Sequence, residues 1–133
     1  MGAIFGAKIP FADLCGIEIL GAEEGVTRLR VVLDERHGNN FGAPHGGLVA
    51  TLMDIAMGSA ARLAAGSPVM TVDMHINFIA TGEKVLTAQG RVVRAGGSIL
   101  FAEAEARNEN DEIVAKSSGV FKRRGTKKAI GEA

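Results

Sequence analysis

The stretch Gly46-Gly47-Leu48-Val49-Ala50-Thr51-Leu52-Met53-Asp54-Ile55-Ala56-Met57-Gly58-Ser59-Ala60-Ala61-Arg62-Leu63-Ala64-Ala65 decides the fold. Almost every position is apolar or small, so as a helix it has no continuous polar face and is expected to be buried nearly all round. Gly66 just past its end and Pro68 beyond are stop signals. A membrane-spanning reading would have to accommodate Asp54 and Arg62 and would leave the flanking amphipathic segments without a core. A helix wrapped by those segments satisfies both.

Outward from the helix, the chain reads as strands. Upstream, Ile17 to Gly21 and Val26 to Leu33 close a hairpin across Ala22-Glu23-Glu24-Gly25, and Ile4 to Gly16 suits a short helix leading into the first strand. Asp34 to Pro44 is rich in loop formers. Downstream, Met70, Val72, Met74, Ile76 and Phe78 alternate with Thr71, Asp73, His75 and Asn77, the pattern of a half-buried strand. Lys84 to Arg94, Ser98 to Arg107 and Ile113 to Lys122 follow, joined by Thr81-Gly82-Glu83, Ala95-Gly96-Gly97 and Asn108-Glu109-Asn110-Asp111, and are expected to form a meander of antiparallel hairpins. The order β-β-α-β-β-β-β predicts an α+β fold in which an antiparallel sheet wraps one central helix. Residues 1–133 are read as a single domain, with 1–16 as an N-terminal segment and 124–133 as a basic flexible tail.

Composition narrows the function. Lys+Arg and Asp+Glu balance at 15 each, which gives no global attraction to nucleic acid or an anionic membrane. Cys15 is the only cysteine, and the N-terminus lacks the basic segment of a secretion signal, so cytoplasm is the expected compartment. His37, His45 and His75 are scattered without metal-ligand spacing, so no metal is expected. No Ser sits in a Gly-flanked elbow, and Cys15 has nothing beside it in sequence to activate it.

Asp54 stands out, because an ionised carboxylate on an apolar helix costs several kcal/mol unless it is hydrogen-bonded or paired, and such costs concentrate at sites of chemistry. The plainer reading is a buried Asp bonded to a Ser or Thr, or one opening onto solvent. Asn39-Asn40-Phe41-Gly42-Ala43-Pro44-His45-Gly46-Gly47 leads straight into the helix, and a Gly pair in a first helical turn leaves N–H groups open to an anion or a developing oxyanion.

His45-Gly46-Gly47-Leu48-Val49-Ala50-Thr51-Leu52-Met53-Asp54 resembles the signature of the hotdog-fold acyl-CoA thioesterases of the phenylacetate-degradation (PaaI-like) type. The resemblance extends to Thr71-Val72-Asp73-Met74-His75-Ile76-Asn77-Phe78, which is similar to that family's third strand. It implies that Asp54 acts as general base or nucleophile and that the Gly46 N–H polarises the thioester carbonyl. His45 and Asn39 match the loop residues that shape the site, with Asn40 in place of Asn39 if the loop register differs and Gly47 beside them. His45 has the alternative of simply capping the helix. Thr71 stands where some relatives have a Ser, although strict alternation would turn it away from the apolar face. No cofactor is implied, coenzyme A being part of the substrate, and the implied partner is a second copy, as homodimer or dimer of dimers. The coenzyme's phosphates call for cations, and Arg94-Ala95-Gly96-Gly97-Ser98 and Lys122-Arg123-Arg124 with Lys127-Lys128, placed at strand ends, are the candidates, a basic tail being more often only a solvated terminus. A binding module without catalysis and a dehydratase of the same fold are the rival readings.

Overall fold

A helix this apolar has to be covered, and in the computed structural model, which describes residues 7–124, one antiparallel sheet does the covering. In chain order the elements are α1 (Pro10–Cys15), β1 (Ile17–Glu23), β2 (Val26–Val32), a 3₁₀ turn (Glu35–His37), α2 (Gly46–Ala65), β3 (Val69–Phe78), β4 (Val85–Ala95), β5 (Ile99–Arg107) and β6 (Ile113–Arg123). The strands lie side by side as β1-β2-β4-β5-β6-β3. Helix α2 has the bounds expected from sequence, and Gly66 ends it in the left-handed conformation at φ 66°. Glu24 and Gly25, both at positive φ, make the two-residue β1–β2 turn.

Helix and sheet meet most closely at Gly90. A Cβ there would lie 2.2 Å from the Ala56 carbonyl oxygen, so only glycine lets β4 approach α2 this far. The buried Thr27 hydroxyl of β2 reaches the same place and donates to Ala56 O at 2.8 Å. Around this contact Leu29, Leu52, Met53, Met57, Leu86, Leu100 and Phe121 form the core.

Three expectations need correction. The segment from β3 to the last strand is not a continuous meander, because β3 pairs with β6 at the sheet edge and the β3–β4 connection is a crossover. Ile79 and Ala80 still donate to Val114 O, on the β6 side. Residues 81–84 then run past the β5–β6 turn, where Asn108 Nδ2 donates to Thr81 O and the Glu109 carboxylate accepts from the N–H groups of Glu83, Lys84 and Val85. Those donors, Lys84 and Glu83 foremost, hold the Glu109 carboxyl down at about 2. Crossing three strand spacings of roughly 4.8 Å is within reach of so short a segment, since extended chain covers about 3.3 Å per residue. A Thr-Gly-Glu sequence does not distinguish this path from a tight turn.

The alternation along β3 is also broken. Thr71 pairs with Phe121 and Asp73 with Val120, so Val72 is an extra, bulged residue. A bulge reverses the phase of what precedes it. Thr71 therefore faces the helix together with Met74 and Ile76, while Met70 and Val72 stand exposed.

Nor is α2 buried all round. Leu48, Val49, Leu52, Met53, Ile55, Ala56, Met57, Ser59, Ala60 and Ala61 are buried, whereas Gly47, Ala50, Thr51, Asp54, Gly58 and Arg62 form a partly open stripe. The sheet curls round part of the helix only, and the stripe lies in its opening. The helix is long and apolar enough to cross a membrane, yet most of it is buried inside the protein.

Candidate active site

Helix α2 begins with a built cap. Residues 38–44 form a small loop closed by the Gly38–Pro44 bridge, and the Asn39 Oδ1 inside it accepts from Phe41 N–H at 2.8 Å and Ala43 N–H at 3.1 Å. Asn39 thus shapes the loop, and it is one of the residues lining the pocket beside Gly46. Asn40 is exposed and lines neither pocket described below. The loop delivers His45 to the N-cap, where its Nδ1 accepts from Gly47 N–H at 2.8 Å. A ring nitrogen that accepts carries no hydrogen, so this imidazole holds its proton on Nε2.

The donors of the first turn can be followed one by one. Gly47 N–H goes to His45 Nδ1, and Leu48 and Val49 N–H both go to His45 O. Gly46 N–H has no acceptor among the described residues, and it stands at the positive end of the helix dipole. Glycine at 47 has a packing reason, since a Cβ would press on His45 Nδ1 at 3.0 Å. Glycine at 46 has none of that kind: a Cβ would meet the Phe78 ring at 3.6 Å, an ordinary contact.

Two turns further on, Asp54 lies in the open stripe of α2 and accepts a hydrogen bond from the Thr71 hydroxyl at 2.7 Å. The β3 bulge is what aims Thr71 at it. A cleft of about 250 Å³ surrounds the pair, lined also by Lys8, Ser59, Arg62 and Arg124. The pocket beside Gly46, about 290 Å³, is separate and is lined by Val49, Phe78, Leu86 and Val114. Eight residues of helix separate Gly46 from Asp54, or about 12 Å along the axis. One chain does not bring them to a common point.

The sequence-derived cations behave differently from one another. Arg123 is a clasp: its guanidinium donates to Ala65 O at 2.6 Å and Gly97 O at 2.9 Å, with a longer contact to Gly96 O. It satisfies the C-terminal end of α2 and pins the turn Gly96-Gly97-Ser98, whose Ser98 O accepts from Arg123 N–H. Arg94 stands opposite Phe101 on the outer face of the sheet and lines neither pocket. Lys127 and Lys128 lie outside the described residues. Lys8 and Arg62 were not anticipated. Arg62 had a legible signal, since Asp54, Gly58 and Arg62 recur every fourth residue on one helix face; Lys8 is brought in by the fold alone. His37 is structural, with Nδ1 accepting from Asp34 N–H and Nε2 donating to Cys15 O at 2.7 Å. Burial pushes the Cys15 thiol up, which disfavours its thiolate.

Comparison with known proteins then gives the family. Residues 41–115 match the Thioesterase superfamily. The chain belongs to that superfamily. This thioesterase is 35% identical over 118 residues to a Pseudomonas aeruginosa protein classed by name among esterases, covering 84% of this chain and 87% of the relative. It is 33% identical over 82 residues to mouse acyl-coenzyme A thioesterase 13, covering 58% of this chain and 57% of that one. Its structure superposes on the E. coli PaaI protein from the phenylacetic acid degradation operon with a TM-score of 0.83 at 25% identity, covering 89% and 86% of the two chains. The sheet curled round one helix is therefore the hotdog fold, as the resemblance implied. The thioesterase is a thioester hydrolase.

Proposed function

We propose that the protein hydrolyses acyl-CoA thioesters to the free acid and coenzyme A, with each active site shared between two copies of the chain. The observation that carries the reading is the pair of opposed groups on α2, an unpartnered Gly46 N–H and a Thr71-bonded Asp54. In a dimer with antiparallel α2 helices, Gly46 of one chain faces Asp54 of the other, once on each side of the two-fold axis. Strand β3 supports the association. It is a sheet edge with unpaired backbone groups, and Met70, Val72, Phe78 and Ile79 on or just after it are exposed. Natural edges of this kind are covered.

The thioester carbonyl oxygen accepts from Gly46 N–H, which gains strength as the tetrahedral oxyanion develops. Asp54, held by the Thr71 hydroxyl, takes the proton of a water that adds to the carbonyl carbon. The C–S bond then breaks, and the proton goes to the departing thiolate. In the alternative route Asp54 itself adds to the carbonyl, the C–S bond breaks to release the thiolate, and water cleaves the resulting anhydride. Single turnover in isotopically labelled water detects the second route when water attacks the Asp54 side of the anhydride, because only then does label enter Asp54. His45 positions Gly47 through the cap, and Asn39 holds the loop. No cofactor enters either route.

Thiol release measured over a panel of short, medium, long and aryl acyl-CoA substrates tests the proposal, with Asp54→Asn alongside. The expected result is turnover on part of the panel and a fall of about 10²-fold or more in the variant, with its melting curve retained. No thiol release from any substrate, or full activity in Asp54→Asn, would refute it.

A further inference from the structure

The segment that crosses from β3 to β4 walls the site, and it is held from a distance. Phe78, the last residue of β3, lays its ring against Gly46, 3.6 Å from where a Cβ would stand. Ala80, Thr81 and Gly82 continue the same wall of the pocket beside Gly46. Gly82 also lines a neighbouring cavity of about 510 Å³ under the cap loop, as do Asn39, Ala43 and Pro44. Crossing segment and cap loop together therefore divide the two cavities, with Gly46 on one side only.

Residues 79–84 belong to no strand, so their backbone groups need other partners. Val114 O takes the N–H groups of Ile79 and Ala80. Beyond them the hold passes to two side chains of the β5–β6 turn. Asn108 is buried and uses both ends of its amide. Its Oδ1 accepts from the N–H groups of Asn110 and Glu112 and so folds the turn, while its Nδ2 donates to Thr81 O at 2.9 Å. Glu109 accepts from the N–H groups of Glu83, Lys84 and Val85, at 3.1, 2.9 and 3.4 Å, all on the one oxygen Oε1. A Cβ on Gly82 would lie 3.1 Å from the Asn108 Cβ, so segment and turn are packed closely as well. Neither Asn108 nor Glu109 lines the pocket beside Gly46 or the cleft beside Asp54.

Resting on the oxyanion role given to Gly46 above, we propose that Asn108 and Glu109 are positioning residues for the hydrolysis. The β5–β6 turn clamps the crossing segment and thereby holds the Phe78 ring, and the wall behind it, closed on the Gly46 N–H. A hydrogen-bond donor stabilises an oxyanion most where water is excluded. With the clamp released, residues 79–84 shift, the division between the cavities opens, and water competes for the N–H as the oxyanion forms. The loss falls on kcat rather than on KM, because that contact gains its strength in the transition state. Glu109 stays ionised under ordinary assay conditions, its carboxyl being held at about 2, so the clamp is constant while the site titrates.

Glu109→Ala tests the clamp, since Glu109 is no part of the core. With the best substrate of the acyl-CoA panel, kcat is expected to fall about tenfold and KM to stay within about twofold, at a temperature where the melting curve shows the variant folded. Glu109→Gln keeps a carbonyl oxygen in the place of Oε1 and restores kcat. Glu109→Ser replaces Glu109→Ala if the latter does not fold. Amide hydrogen exchange read by mass spectrometry is the second measurement. Exchange of Glu83, Lys84 and Val85 is expected to quicken in Glu109→Ala, with the change reaching Phe78, and to return to wild type in Glu109→Gln. Faster exchange at these three residues with wild-type kcat overturns the proposal. So does unchanged exchange, a fall in kcat that Glu109→Gln does not restore, or an effect on KM alone. If the wild-type protein hydrolyses no thioester, the acyl-CoA reading fails first and exchange alone decides the clamp: acceleration that stops short of Phe78 overturns it, and acceleration that reaches Phe78 supports it.

Discussion

Thr71 and Asp54 are joined by one short hydrogen bond, which fixes where the carboxylate stands. The composition of α2 already singles out Asp54, because a lone carboxylate in an apolar helix needs a reason. The role of Thr71 was only half legible. Its type suits a hydroxyl donor, but strict alternation places it on the wrong face, and nothing in Met70-Thr71-Val72-Asp73 announces the bulge that turns it round. Arg123 shows the opposite failure: a cation at a strand end looks available in sequence, whereas here its donors are taken by backbone carbonyls. Thr71 is a positioning residue, since it acts through Asp54. Thr71→Val keeps the shape and removes the donor, so kcat is expected to fall about tenfold, the worth of a charge-assisted hydrogen bond. KM stays near its wild-type value, as expected when only the reacting carboxylate loses its support. Thr71→Ser restores kcat. A Thr71→Val variant with wild-type kcat would remove Thr71 from the mechanism.

At the scale of elements, the α2–β4 contact sets where the helix rests on the sheet, and hence where Gly46 and Asp54 face. Periodicity and stop signals in the sequence give α2 its bounds, and the strands differ from their expected limits by a residue or two. Pairing order is another matter. Whether Thr81-Gly82-Glu83 turns β4 back on β3 or carries it across the sheet depends on long-range partners, namely the Asn108 and Glu109 side chains that catch the crossing segment. Gly90 is equally silent in sequence, one glycine among 18. Its Cα lies under the Ala56 carbonyl, so Gly90→Ala must push β4 and α2 apart or displace Thr27. Overpacking of this kind costs about 2 kcal/mol. Chemical denaturation is expected to show that loss at an unchanged m-value. Because the helix moves as a unit, kcat should fall as well. A variant as stable as wild type would mean that the contact relaxes freely.

For the whole molecule, the decisive length is the helix between Gly46 and Asp54. About 12 Å of axis and two separate pockets prevent one chain from presenting both groups to one carbonyl, so the shared-site proposal can be tested by mixing. Gly46→Pro deletes the N–H at the first helical position, where proline is tolerated. The preceding His45 is extended, at φ −63° and ψ 138°, as a residue before proline must be. Asp54→Asn deletes the base. Each variant alone carries a lesion in both of its sites and is expected to be nearly inactive. In a mixed dimer, one site pairs the altered Gly46 of one chain with the altered Asp54 of the other and is doubly dead. The second site pairs two intact residues. Random re-association of equal amounts puts half the protein into mixed dimers with one good site of two, so about a quarter of wild-type activity returns. Mass spectrometry of the mixture confirms that subunits have exchanged. Exchange without recovery of activity would show that Gly46 and Asp54 do not serve a common carbonyl across two chains.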